Sequence, residues 1–120
     1  MTLVRRLVCA VCILIATGCS APSPRDRATA SELATVSVLK HEFSGIVMGF
    51  DVRDDTTLIV SLDLQTYIGM DDDAAAAMRQ TVVARWRDAW SAAHPGAHAT
   101  LHVRFIDFIG RKIAEQSIQV

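Results

Sequence analysis

"DDDAAAAMRQTVVARWRDAWSAAHPG", residues 71–96, decides the fold. Apolar positions recur every three or four residues at Ala74, Met78, Val82, Trp86, Ala89, Trp90 and Ala93. That spacing draws one stripe along a helix. Asp71 stands where an N-cap belongs, and Asp72 and Asp73 suit the positive end of the helix dipole. Pro95-Gly96 stops the helix. The pattern predicts a helix over about 72–93 with Trp86 and Trp90 on its core face. The three adjacent acids fit capping better than a calcium loop, whose oxygens alternate around a glycine bend.

On both sides of this helix the period falls from 3.6 to 2. In "GIVMGFDVR" (45–53), Ile46, Met48, Phe50 and Val52 share one face. In "TLIVSLDL" (57–64), Leu58, Val60, Leu62 and Leu64 do the same. Asp54-Asp55 supplies the turn of a hairpin between them. After the helix, "ATLHVRFID" (99–107) sets Leu101, Val103 and Phe105 against His102 and Arg104. "DFIGR" then places Asp107 first and Gly110 fourth in a type I turn, and "RKIAEQSIQV" closes a second hairpin.

The segment 33–43 reads two ways. Thr35, Val36 and Val38 favour a strand. Ser31 as a cap, Leu33, Val36, Leu39 and Phe43 on one face and Gly45 as a stop favour a helix. The expected fold class is therefore α+β: a small antiparallel sheet of two β-hairpins with the long helix on one face, ordered ββ(β)αββ or αββαββ. The helix and final hairpin resemble the C-terminal modules of periplasmic energy-transducing proteins, through a supersecondary unit that many folds share.

The first residues follow other rules. "MTLVRR" ends in two cations, "LVCAVCILIA" (7–16) is continuously apolar, and "ATGC" (16–19) follows. A charged start, an apolar stretch of about 10 residues and small residues at a cut site form a secretory signal peptide. The run is too short for a stable membrane span, which takes about 20 residues. Ile15-Ala16-Thr17-Gly18-Cys19 resembles the lipobox of bacterial lipoproteins. The resemblance implies cleavage before Cys19, a diacylglyceryl thioether on its thiol and acylation of its new amino group. Leu is usual where Ala16 stands, and Ala16-x-Gly18 also suits ordinary signal peptidase, which would give a simple secreted protein. Ser20 after the cysteine matches the outer-membrane default of Gram-negative lipoproteins. Cys9 and Cys12 leave with the leader, so the domain holds neither a disulfide nor a free thiol.

Residues 1–18 are thus expected to be a cleaved signal peptide, 19–31 a lipidated N-terminus and flexible linker, and 32–120 a single domain. "SAPSPRDRATAS" (20–31), with two prolines, small residues and balanced charge, suits a disordered tether. The chain carries 12 basic and 13 acidic residues, and losing Arg5 and Arg6 leaves the domain mildly acidic. That balance argues against a nucleic-acid partner.

No catalytic motif stands out. His94, His98 and His102 follow at steps of four, but Pro95-Gly96 breaks any common helix. On a strand His98 and His102 lie about 13 Å apart, too far for one zinc. They are expected as solvent-facing polar positions. His41-Glu42 lacks a neighbouring nucleophile. Neither a metal nor a cofactor is expected. Phe108 and Ile109 occupy the middle of a turn, where polar residues are usual, and are the candidate contact for a partner. The expected protein is an envelope lipoprotein, held in the outer membrane by acylated Cys19 and facing the periplasm. Its small non-catalytic domain binds another envelope component or joins an assembly. The alternative is a hydrolase-like envelope enzyme with a His/acid site assembled in space, recognisable by a concave pocket.

Overall fold

A computed structural model describes residues 21–120. The expected signal peptide and Cys19 lie outside the described residues. Helix α1 spans Pro24–Ser37, followed by the short α2, Leu39–Glu42. Strands β1, Val47–Arg53, and β2, Thr57–Leu62, form a hairpin. The short α3, Leu64–Ile68, leads to the long α4, Asp72–Ala93. Strands β3, Thr100–Ile106, and β4, Lys112–Gln119, form the second hairpin. The fold is α+β in the order αββαββ, with α2 and α3 as short additions.

The strands lie in sequence order, β1-β2-β3-β4. The two hairpins are antiparallel, but β2 and β3 pair in parallel, so the sheet is mixed rather than antiparallel throughout. The cause is the length of α4. Its 22 residues carry the chain back along the sheet, so β3 starts at the end where β2 started. A central strand in a parallel pair is more deeply covered, and β2 buries Leu58, Ile59 and Val60 in succession.

The core lies between the sheet and one helical layer. Val36 and Leu39 from the N-terminal helices, with Met78, Val82, Trp86, Ala89 and Trp90 from α4, pack on Leu58, Val60, Leu62, Leu101, Val103 and Phe105. The helical stripe is as the spacing predicts except at its start, where Ala75 is buried and Ala74 is exposed. Both tryptophans belong to the core.

Two local corrections follow from backbone chemistry. A register shift between Val47 and Gly49 lets Val47 turn inward with Leu62, while Phe50 still faces inward with Val60. Met48, expected on the core face, is expelled at this bulge and is 55% exposed. The second correction concerns the tether. The helical alternative holds for 33–43, but α1 starts far earlier than Ser31. Ser23 caps it by accepting from the Asp26 N–H at 3.1 Å, Pro24 occupies the first turn and Asp26 suits the dipole. Residues 24–31 are therefore helix rather than linker.

Candidate functional site

The two ends of the sheet differ in chemistry. At one end the β1–β2 turn meets the start of α1 and the end of α4. Asp54 and Asp55 both adopt positive φ, 54° and 62°, without glycine. Asp tolerates this region better than most residues, and the turn is also held from outside. Trp86 Nε1 donates to the Thr56 carbonyl at 3.3 Å, and Trp90 Nε1 donates to the Asp55 carbonyl at 3.0 Å. The Asp55 carboxylate accepts from Arg25 Nε at 2.7 Å.

Beneath this turn lies a cleft of about 310 Å³, lined by Arg25, Ala28, Thr29 and Glu32 of α1, by Asp55 and by His94. Arg25, Ala28, Thr29 and Glu32 recur at helical spacing, so one face of α1 forms a wall. Glu32 is only 1% exposed. Its Oε1 lies 3.4 Å from His94 Nδ1, and its Oε2 has no hydrogen-bond partner. Burial pushes the Glu32 carboxyl above the usual carboxylate range; His94 opposes this shift and the Asp55 charge adds to it. His94 Nδ1 also lies 3.0 Å from the Trp90 carbonyl, and its ring stacks on Trp90 at 4.4 Å. Glu32 and His94 thus form an acid–imidazole pair in a concavity, with Thr29 the one hydroxyl-bearing side chain among the described lining residues.

The opposite end is apolar. Phe108 is 89% exposed and Ile109 is 56% exposed, at the tip of the β3–β4 turn. The tip is built around Asp107, itself 3% exposed. Its Oδ1 accepts from the Ile109 N–H at 3.1 Å and the Arg111 N–H at 2.9 Å, and its Oδ2 accepts from Arg111 Nε at 3.2 Å. Burial alone raises a carboxyl, but here the Arg111 and Ile109 hydrogen bonds and the Arg111 charge prevail, and the Asp107 pKa is lowered. The Gly110 N–H closes the turn on the Asp107 carbonyl at 3.0 Å, with Gly110 at φ 87°, a value that suits glycine. Beside the tip, Met48, Leu62, Leu64 and Phe108, with Asp63 and Gln65, line a groove of about 430 Å³. No protein-family model, curated protein or solved structure matches the chain.

The other candidates are dispersed. His98 Nδ1 lies 3.2 Å from the Val120 carbonyl, and His102 Nδ1 lies 2.8 Å from Ser117 Oγ, so the three histidines do not converge. Among the described residues no group of three His, Cys, Asp or Glu could hold a metal. Asp71 is the N-cap of α4 by position, yet its side chain caps nothing. Glu42 reaches Arg85 at 3.9 Å across exposed surface. Sequence reasoning missed Glu32. The signal was present, since extending the Val36–Leu39 stripe back one turn lands on an acid.

Proposed function

We propose that this chain is a lipid-anchored envelope protein of a Gram-negative bacterium. Acylated Cys19 holds it, most simply in the outer membrane, and its domain binds another envelope component without performing chemistry. The observation that carries the binding half is the Asp107 turn. A buried carboxylate with three donors fixes a loop whose two large apolar side chains, Phe108 and Ile109, are exposed. Rigid exposed apolar groups suit recognition, because little ordering entropy is lost on contact. The anchoring half is supported by the "ATGC" border at Cys19. Cys19→Ala is expected to leave an unprocessed precursor without thioether lipid; a variant with unchanged mature mass and membrane retention would refute the anchor.

A second reading has one observation in its favour. The Glu32–His94 pair in its cleft is the arrangement expected of a His/acid site assembled in space. On this reading His94 acts as base, activating water toward a small ester or amide, and Glu32, 3.4 Å from Nδ1, positions its ring. His94→Gln would abolish turnover of activated ester substrates; turnover equal to the wild type would dismiss it.

A further inference from the structure

We infer that the cleft between α1, the β1–β2 turn and the end of α4 binds the ammonium end of a short alkylamine, with Glu32 as its principal acceptor. Neither the Cys19 anchor nor turnover at His94 is needed for this.

Glu32 sets the requirement. Its side chain is 1% exposed, yet the protein gives its carboxyl group no full partner. Oε2 accepts no hydrogen bond. Oε1 faces His94 Nδ1 at 3.4 Å. That nitrogen has a nearer acceptor in the Trp90 carbonyl, at 3.0 Å. Both of its neighbours are acceptors, so Nδ1 carries the hydrogen, and its one N–H is shared with a backbone carbonyl. A buried carboxyl left in this state costs free energy until a donor from outside completes it.

The charges nearby call for a cation. Asp55 brings a second carboxylate to the cleft, and its charge works against an ionised Glu32. The one guanidinium in the lining, Arg25, already lies on Asp55 at 2.7 Å. Two carboxylates thus share one fixed cation, and His94 in its neutral form adds none. An ammonium between Glu32 and Asp55 would serve both. Its three N–H groups match Glu32, Asp55 and the Thr29 hydroxyl in number.

The walls set what carries that charge. Pro24, Ala28 and Ala93 offer apolar surface without a polar side chain, which suits a methylene stem. The cleft of about 310 Å³ is far larger than a bare ion needs. Five heavy atoms, a butyl stem and its nitrogen, take up about 150 Å³ at about 30 Å³ each, the share of a liquid water. The Arg25 side chain at the rim is 68% exposed, so it can swing aside without moving the core.

A proton competes for the same carboxylate. Glu32 is faced by Arg25 from its own helix, by Asp55 from the turn and by His94 from α4. Burial raises its carboxyl above the ordinary range, His94 lowers it and Asp55 adds to the rise. A protonated carboxyl cannot neutralise an ammonium. Affinity is therefore weakest in acid and rises as pH passes through the folded pKa of Glu32.

The test is calorimetric titration of the full chain in nonionic detergent. The probes are n-butylammonium, Nα-acetyl-lysine N-methylamide and, as uncharged control, butan-1-ol. Saturable binding of an ammonium probe is expected, tightening with pH as above, with no saturation by butan-1-ol over the same range. Glu32→Gln keeps the shape and removes the charge, and affinity should fall at least about tenfold. Ala28→Leu fills the cleft, leaves every charge in place and should also abolish binding. That variant and the pH profile decide the matter even if Glu32→Gln fails to fold. Binding of n-butylammonium alone supports a free amine as ligand, binding of the capped lysine alone a lysine side chain of another protein, and binding of both a site open to either. Saturation by neither ammonium probe, equal affinity in a folded Glu32→Gln or Ala28→Leu variant, or affinity indifferent to pH overturns the inference.

Discussion

Glu32 and Trp86 show how one residue can oppose the fold or hold it. Glu32 is a buried acid with an unpartnered oxygen, facing His94, Asp55 and, at the cleft rim, Arg25. Its carboxyl titrates above the 4.5 of an unperturbed glutamate. A raised folded pKa means the native state binds its proton more readily than the unfolded chain does. Stability from this group is therefore greatest below the unfolded pKa and falls as pH rises through the folded value. Glu32→Gln is expected to gain stability relative to wild type as pH rises above the ordinary carboxylate range, read from urea midpoints at each pH. A difference that does not change with pH would contradict that sign. Trp86 is fully buried and its Nε1 holds the Thr56 carbonyl. Trp86→Ala is expected to cost about 3–5 kcal/mol; equal denaturation midpoints would place it outside the core. The tryptophan was legible because its register matched Met78 and Val82. Glu32 lies one turn back on the Val36–Leu39 stripe, but an acid there interrupts the apolar run by which such stripes are recognised.

At the scale of elements, periodicity located α4 at its observed limits and both hairpins, since α4, β1, β3 and β4 carry a clear period and β2 keeps one in Leu58, Val60 and Leu62 even though Ile59 is buried too. It failed where a cap outweighed the pattern. The first turns of α1 face solvent and the cleft, leaving no apolar stripe, and Ser23-Pro24 rather than hydrophobicity starts the helix. The parallel pairing of β2 and β3 was also hidden, because strand direction depends on where α4 delivers the chain. The bulge at Met48 reversed side-chain parity without any glycine or proline at that residue. A chain beginning at Glu32 lacks the Ser23 cap and the Arg25–Asp55 pair. It is expected to melt about 4–8 °C below one beginning at Ala21, a change near 1 kcal/mol. Equal melting temperatures would mean that the early turns of α1 contribute nothing to the domain. For the β3–β4 turn, Asp107→Ala removes the acceptor of two backbone N–H groups. Hydrogen exchange at Ile109 and Arg111 should then accelerate while the amides of β2 keep their protection. Unchanged exchange at those two positions would show that the carboxylate does not hold the loop.

The whole molecule has two unlike ends. One gathers the chain entry, the Asp54-Asp55 turn, both indole N–H bonds and the Glu32–His94 cleft. The other presents a braced apolar tip. This polarity was invisible in the sequence, because the motifs of each end lie far apart along the chain and meet only after the hairpins and α4 are assembled. On the proposed Cys19 anchor, its functional meaning depends on how the domain stands over a membrane. The direct measurement is spin-label accessibility on the lipidated protein in vesicles, with one label replacing Arg27 and another replacing Ile109. On the proposed anchor, processing removes Cys9 and Cys12 and acylation blocks Cys19, so each label is unique. The label at 27 is expected to lie nearer the bilayer surface, while the label at 109 is open to a water-soluble relaxant and shielded from membrane-dissolved oxygen. A label at 109 relaxed mainly by membrane oxygen would place the apolar tip in the lipid and overturn its proposed role as a protein contact.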